Sequence, residues 1–72
     1  MNNLNVAKIQ LNGSSYEIKY GTNLNDLLNT LKIQKNKVAI EVNGKIVEKN
    51  KYPKFLLNRN DKVEIVHFIG GG

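Results

Sequence analysis

The sequence predicts an α+β domain, a mixed sheet of four to five strands with one main helix packed across one face. Three observations carry this. Apolar and polar residues alternate over residues 7–11 and 16–20, the period of strands with one buried face. Two Asn-Gly pairs, Asn12-Gly13 and Asn43-Gly44, stand where hairpins turn. Between them Leu24, Leu27, Leu28 and Leu31 fall at i, i+3, i+4 and i+7, one stripe of an amphipathic helix.

Ala7, Ile9 and Leu11 form the buried face of the first strand, with Lys8 and Gln10 opposite. Leu4 and Val6 are candidates to extend it. After the Asn12-Gly13 turn, Tyr16, Ile18 and Tyr20 continue the pattern on a second strand. Gly21-Thr22 breaks it. Asn23 suits the helix N-cap, with Asp26 three residues on to return a hydrogen bond and to favour the positive helix end; Thr22 is the competing cap. Each buried leucine of the stripe contributes about 1.5–3 kcal/mol before entropy is counted against it. The helix should fade near Lys32-Ile33, ahead of the polar residues 34–37.

Val38 to Val42 reads as a third strand, Asn43-Gly44 as a turn, and Ile46-Val47 as the start of a short returning segment. Residues 49–54 read as a polar connection, and Pro53 forbids a central strand there. Phe55, Leu56 and Leu57 are expected beneath the sheet as a turn of helix or a tight loop. Residues 58–61 form a turn, and Val63 to Ile69 form the last strand. A helix acting as crossover lets that terminal strand sit in the middle of the sheet. One domain is expected over residues 1–69, with 70–72 as a flexible glycine tail.

At 72 residues the chain has a thin core and little room for a deep pocket with its own catalytic groups. It contains no cysteine, which excludes disulfides, thiolate nucleophiles and thiolate metal sites. No apolar run approaches the roughly 20 residues of a membrane span, and residues 1–5 do not read as a secretory signal. A cytoplasmic protein without membrane contact is therefore expected. The net charge of +5 comes from lysines scattered along the chain, with Arg59 as the single arginine, so no nucleic-acid partner is expected. The abundance of Lys and Asn fits nucleotide bias in the source genome. The tyrosines and Phe55 lack the spacing of an RNA-stacking motif. The acidic residues show no metal-ligand spacing, so no metal is expected.

The chain closes on Ile69-Gly70-Gly71-Gly72. Three extended residues reach roughly 10 Å, and glycine threads where a Cβ would not fit. Such a stalk presents a carboxylate that another protein's active site can activate. The bland alternative is a frayed terminus. Just before it, Val66 and Phe68 share the strand face of Glu64, opposite Val63 and Ile65. An apolar pair on a wet face beside the tail suggests a docking patch, with Ile69 as hinge or extension; the alternative is cover for the sheet edge. His67, the lone histidine, has no evident catalytic partner in sequence and is expected at the surface.

The sum of these parts resembles the β-grasp, or ubiquitin-like, fold, and more narrowly the ThiS family of sulfur carriers in thiamin biosynthesis. The resemblance rests on Leu11-Asn12-Gly13, on Asn23 to Leu28 with Leu31, on Val42 to Val47, and most specifically on Asp61 to Gly72. The chain departs from the family in having Asn23 where Thr is usual, in a short N-terminal extension, and in lacking the Pro-Arg and Trp often seen around residues 49–55. The resemblance implies that the chain has no catalytic residues and binds no cofactor of its own. A ThiF-like adenylyltransferase would use ATP to adenylate the Gly72 carboxylate. Sulfur from a cysteine-desulfurase relay protein would convert it to a thiocarboxylate, and a ThiG-like thiazole synthase would take the sulfur. Gly70 and Gly71 would thread the tail into those active sites. Three alternatives stay open: a molybdopterin-synthase small subunit, a ubiquitin-like protein modifier, and a small basic β-grasp RNA-binding module.

Overall fold

The computed structural model describes residues 5–69. Its five strands are β1 (Val6–Leu11), β2 (Ser14–Lys19), β3 (Val38–Val42), β4 (Lys45–Ile46) and β5 (Lys62–His67), and its helix is α1 (Leu24–Leu31). Short 3₁₀ helices span Lys35–Lys37 and Lys49–Lys54. The sheet order is β2-β1-β5-β3-β4. β5 runs parallel to β1 and antiparallel to β3, so the terminal strand is central, as the crossover helix allows.

Both hairpins turn where Asn-Gly demands. Asn12 and Asn43 sit at φ 48° and 54°, followed by Gly13 and Gly44 at 84° and 85°. Left-handed angles at two successive residues match the right-handed twist of the flanking strands. Helix α1 begins with the expected reciprocal cap. The Asp26 N–H donates to Asn23 Oδ1 at 2.7 Å, and the Asn23 N–H donates to Asp26 Oδ2 at 3.3 Å. Thr22 does not cap, because its hydroxyl donates to the Lys19 carbonyl. The helix ends at Lys32, which takes φ 60°, and the Ile33 N–H reaches back to the Leu28 carbonyl at 2.9 Å. That bond closes a Schellman-type turn without the usual glycine.

The core lies between α1 and one sheet face. Leu24, Leu27 and Leu28 meet Ala7, Ile9, Ile18, Val38, Ile40, Val42, Val63 and Ile65, and Leu31 packs at the margin. Val47, Tyr52 and Leu57 close the end of the core.

Several expectations need correction. β2 ends at Lys19, because Thr22 and Gly21 (φ 85°) turn the chain there, and Tyr20 lies exposed beyond it. β4 is Lys45–Ile46, one residue earlier than expected; Val47 is buried and donates to the Ile40 carbonyl. Residues 49–54 are a 3₁₀ helix that carries the fully buried Tyr52. Phe55 to Leu57 form no helical turn. Leu56 bridges to Asn23 in extended form and faces water, while Leu57 is buried. β5 stops at His67, two residues short of Ile69. Leu4 lies outside the described residues.

Candidate functional site

The end of β5 is the candidate site, and its placement follows from how β5 is held. Pairing with β1 is brief, Gln10 to Lys62 and Leu11 to Val63, because β1 turns away at Asn12. The Asn12 side chain then takes over as a strand substitute. Its Oδ1 accepts from the Ile65 N–H at 2.7 Å, and its Nδ2 donates to the Ile65 carbonyl at 3.2 Å. Asn43 does the same work at the other end. Its Oδ1 accepts from the Lys62 N–H at 2.9 Å, its Nδ2 donates to Asp61 Oδ1 at 3.0 Å, and its own N–H donates to the Lys62 carbonyl at 2.7 Å. The two turn asparagines thus clamp the central strand from opposite sides. Reading Asn-Gly only as a turn signal misses this second role, which depends on contacts 53 and 19 residues away.

On the β3 side the pairing runs unbroken from Val42–Val63 to Val38–His67. One further bond, Phe68 N–H to the Lys37 carbonyl at 2.9 Å, extends the ladder past the strand. Alternation along β5 sends Val63 and Ile65 into the core. Val66 and Phe68 face outward, 54% and 55% exposed, and Ile69 is 98% exposed. Three apolar side chains therefore stand in water where the chain leaves the sheet. Ile46 adds a fourth at 70% exposure; it is the cross-strand partner of Glu41, which in turn faces Glu64, so it shares the outer face. Sequence reading missed Ile46 because its register in so short a strand was not evident.

The Lys49 ammonium lies 5.2 Å from the centroid of the Phe68 ring and donates to the Val38 carbonyl at 2.9 Å. His67 is exposed. Asp26 is committed to the helix cap, although it also lines an open depression between β2 and α1 with Tyr16 and Thr30. Among the described residues no three His, Cys, Asp or Glu side chains gather as a metal site, and no helix is long and apolar enough to cross a membrane. Gly70, Gly71 and Gly72, which the sequence reading singles out, lie outside the described residues.

Five strands in this order, one helix across the inner face and an apolar outer patch at the end of the central strand define a β-grasp, ubiquitin-like domain. A crystal structure of the thiamine biosynthesis protein ThiS from Geobacter metallireducens superposes with a TM-score of 0.79 at 29% identity, over 90% of this chain and 99% of that one. The model of the ThiS family matches residues 9–72, and the chain belongs to that family. It is 38% identical to the sulfur carrier protein ThiS of Bacillus subtilis over 65 residues, which are 89% of this chain and 98% of the relative. It is also 43% identical to a thiazole synthase of Magnetococcus marinus over 65 residues, 90% of this chain. The matched part is 20% of that relative, so the chain spans about a fifth of its length.

Proposed function

We propose that this chain is a sulfur carrier that feeds thiazole formation in thiamin biosynthesis, with Gly72 as the loaded residue. The observation that carries the reading is the family match, which runs through Gly72 and includes the glycine triplet that follows Phe68 and Ile69 at the end of the sequence. The name of the Bacillus relative and the thiazole synthase relative point to the same pathway.

The chemistry explains the division of labour. A carboxylate is a poor acyl donor. A ThiF-like adenylyltransferase binds ATP; a Gly72 carboxylate oxygen bonds to the α-phosphorus and pyrophosphate leaves. The acyl-adenylate has a good leaving group. A persulfide from a cysteine-desulfurase relay protein attacks the acyl carbon and expels AMP. A second thiol then attacks the relay-protein sulfur of the acyl disulfide, forms a disulfide with it and releases the thiocarboxylate, which a ThiG-like thiazole synthase consumes. The carrier acts as a protein co-substrate, and the enzymes supply the nucleotide and the acid–base groups. Val66, Phe68 and Ile69 dock these partners, and Gly70 and Gly71 give the slimness to enter their active sites. A compartment with ATP and reduced sulfur, as the cytoplasm is, suits this chemistry.

The test is intact-protein mass after incubation with a ThiF-type enzyme, ATP, a persulfide donor and a thiol reductant. The expected result is a gain equal to replacement of one oxygen by one sulfur, confined to the C-terminal peptide. Conjugates of higher mass would instead mark a protein modifier. An unchanged mass would remove the carrier reading.

A further inference from the structure

We propose that Lys49 is a positioning residue for the chemistry at the C-terminus: it grips the Phe68 ring from the sheet edge and so sets the direction in which the chain leaves β5. The proposal rests on the sulfur-carrier reading above.

The argument starts from an edge carbonyl. β3 pairs with β4 only at Glu41 and Val42, and the Val47 N–H then reaches the Ile40 carbonyl. Beyond that point the chain leaves for the second 3₁₀ helix, and no β4 residue comes alongside Val38. Lys49, the first residue of that helix, donates its ammonium to the Val38 carbonyl at 2.9 Å. The same ammonium lies 5.2 Å from the Phe68 ring centroid, within the roughly 6 Å over which a cation is attracted to a ring face. The Phe68 backbone is tied to the neighbouring Lys37 carbonyl. Phe68 is thus held twice, by its N–H and by its ring, through two consecutive residues of one strand start. Ile69, at 98% exposure, has almost no protein contact. Among the described residues Phe68 is therefore the last one held by contacts with the domain, and Lys49 is the side chain at its ring.

A lysine placed only to satisfy an edge carbonyl would not need to reach an exposed aromatic ring. Arginine can perform both tasks, since its guanidinium donates and stacks; methionine keeps the stem without the charge. The full chain is assayed for ATP-dependent adenylation by a ThiF-type enzyme, with carrier concentration varied, as wild type, Lys49→Met and Lys49→Arg. For Lys49→Met we expect kcat to fall about three- to tenfold with KM nearly unchanged, because the docking side chains remain but the exit direction is no longer held. Lys49→Arg should restore kcat. In the wild type alone, the Lys49 ε-methylene protons should show an upfield ring-current shift that Phe68→Leu abolishes. A Lys49→Met chain turning over like wild type overturns the role of Lys49, as does a Lys49→Arg chain equally impaired or an unshifted ε-methylene. A wild-type chain that is never adenylated overturns the carrier reading, and this role with it.

Discussion

Tyr52 shows how one side chain can be essential in bulk and dispensable in chemistry. Its ring is fully buried at the end of the core, yet its hydroxyl has no well-formed hydrogen bond. Burial pushes the phenol's pKa up from its ordinary value, and the nearby Ile40 backbone offsets part of that. Below the ordinary phenol pKa of about 10 both states carry the proton and the hydroxyl adds no pH dependence. Above it the unfolded chain loses the proton first, binds fewer protons than the native state, and stability falls as pH rises. Tyr52→Phe is therefore expected to hold or raise the melting temperature at neutral pH and to soften the alkaline decline. A neutral-pH loss above about 1.5 kcal/mol in denaturant titration would show that the hydroxyl is bonded after all. The reading of residues 49–54 as a polar connection failed at this residue. One buried tyrosine among lysines, Asn50 and Pro53 leaves no periodic signal.

At the scale of elements, α1 was the most legible part. Its leucine stripe and the Asn23–Asp26 cap are local patterns, and both appear as expected. The hairpin turns were legible for the same reason. Their second task, clamping β5, was not, because it joins residues far apart in sequence. Asn12→Asp tests that task. Aspartate tolerates the turn angle and still accepts from the Ile65 N–H, but it has no donor for the Ile65 carbonyl and sets a carboxylate oxygen against it. The expected cost at neutral pH is about 1–3 kcal/mol by urea denaturation, shrinking in acid, where a protonated carboxyl can donate. An equally stable Asp variant would mean that the clamp contributes nothing beyond the turn.

For the whole molecule, the side chains proposed to dock partners stand apart from those that hold the fold. The inner sheet face and α1 hold the fold, while Val66, Phe68 and Ile69 stand outside it beside the exit of the chain. Phe68→Ala should therefore change docking far more than folding. We expect KM for adenylation to rise about tenfold, the scale of one interface hot spot, with the melting temperature little changed. An unchanged KM would leave the exposed ring without a docking role. Together with Lys49→Met, which is expected to act on kcat, this variant separates contact with the partner from aim of the tail.

Sequence by itself determined what depends on near neighbours: strand alternation, Asn-Gly turns, the capped leucine helix, the outward phase of Val66 and Phe68, and the glycine triplet. Those features repeat within a few residues, so the chain states them directly. Only the tertiary structure decided what depends on distant partners: the side-chain clamps on β5, the burial of Tyr52, the end of β5 at His67, Ile46 on the outer face, and the reach of Lys49 to Phe68. Hydrogen bonding across strands and packing across the core join segments that are remote in the sequence. No local pattern encodes which of them will meet.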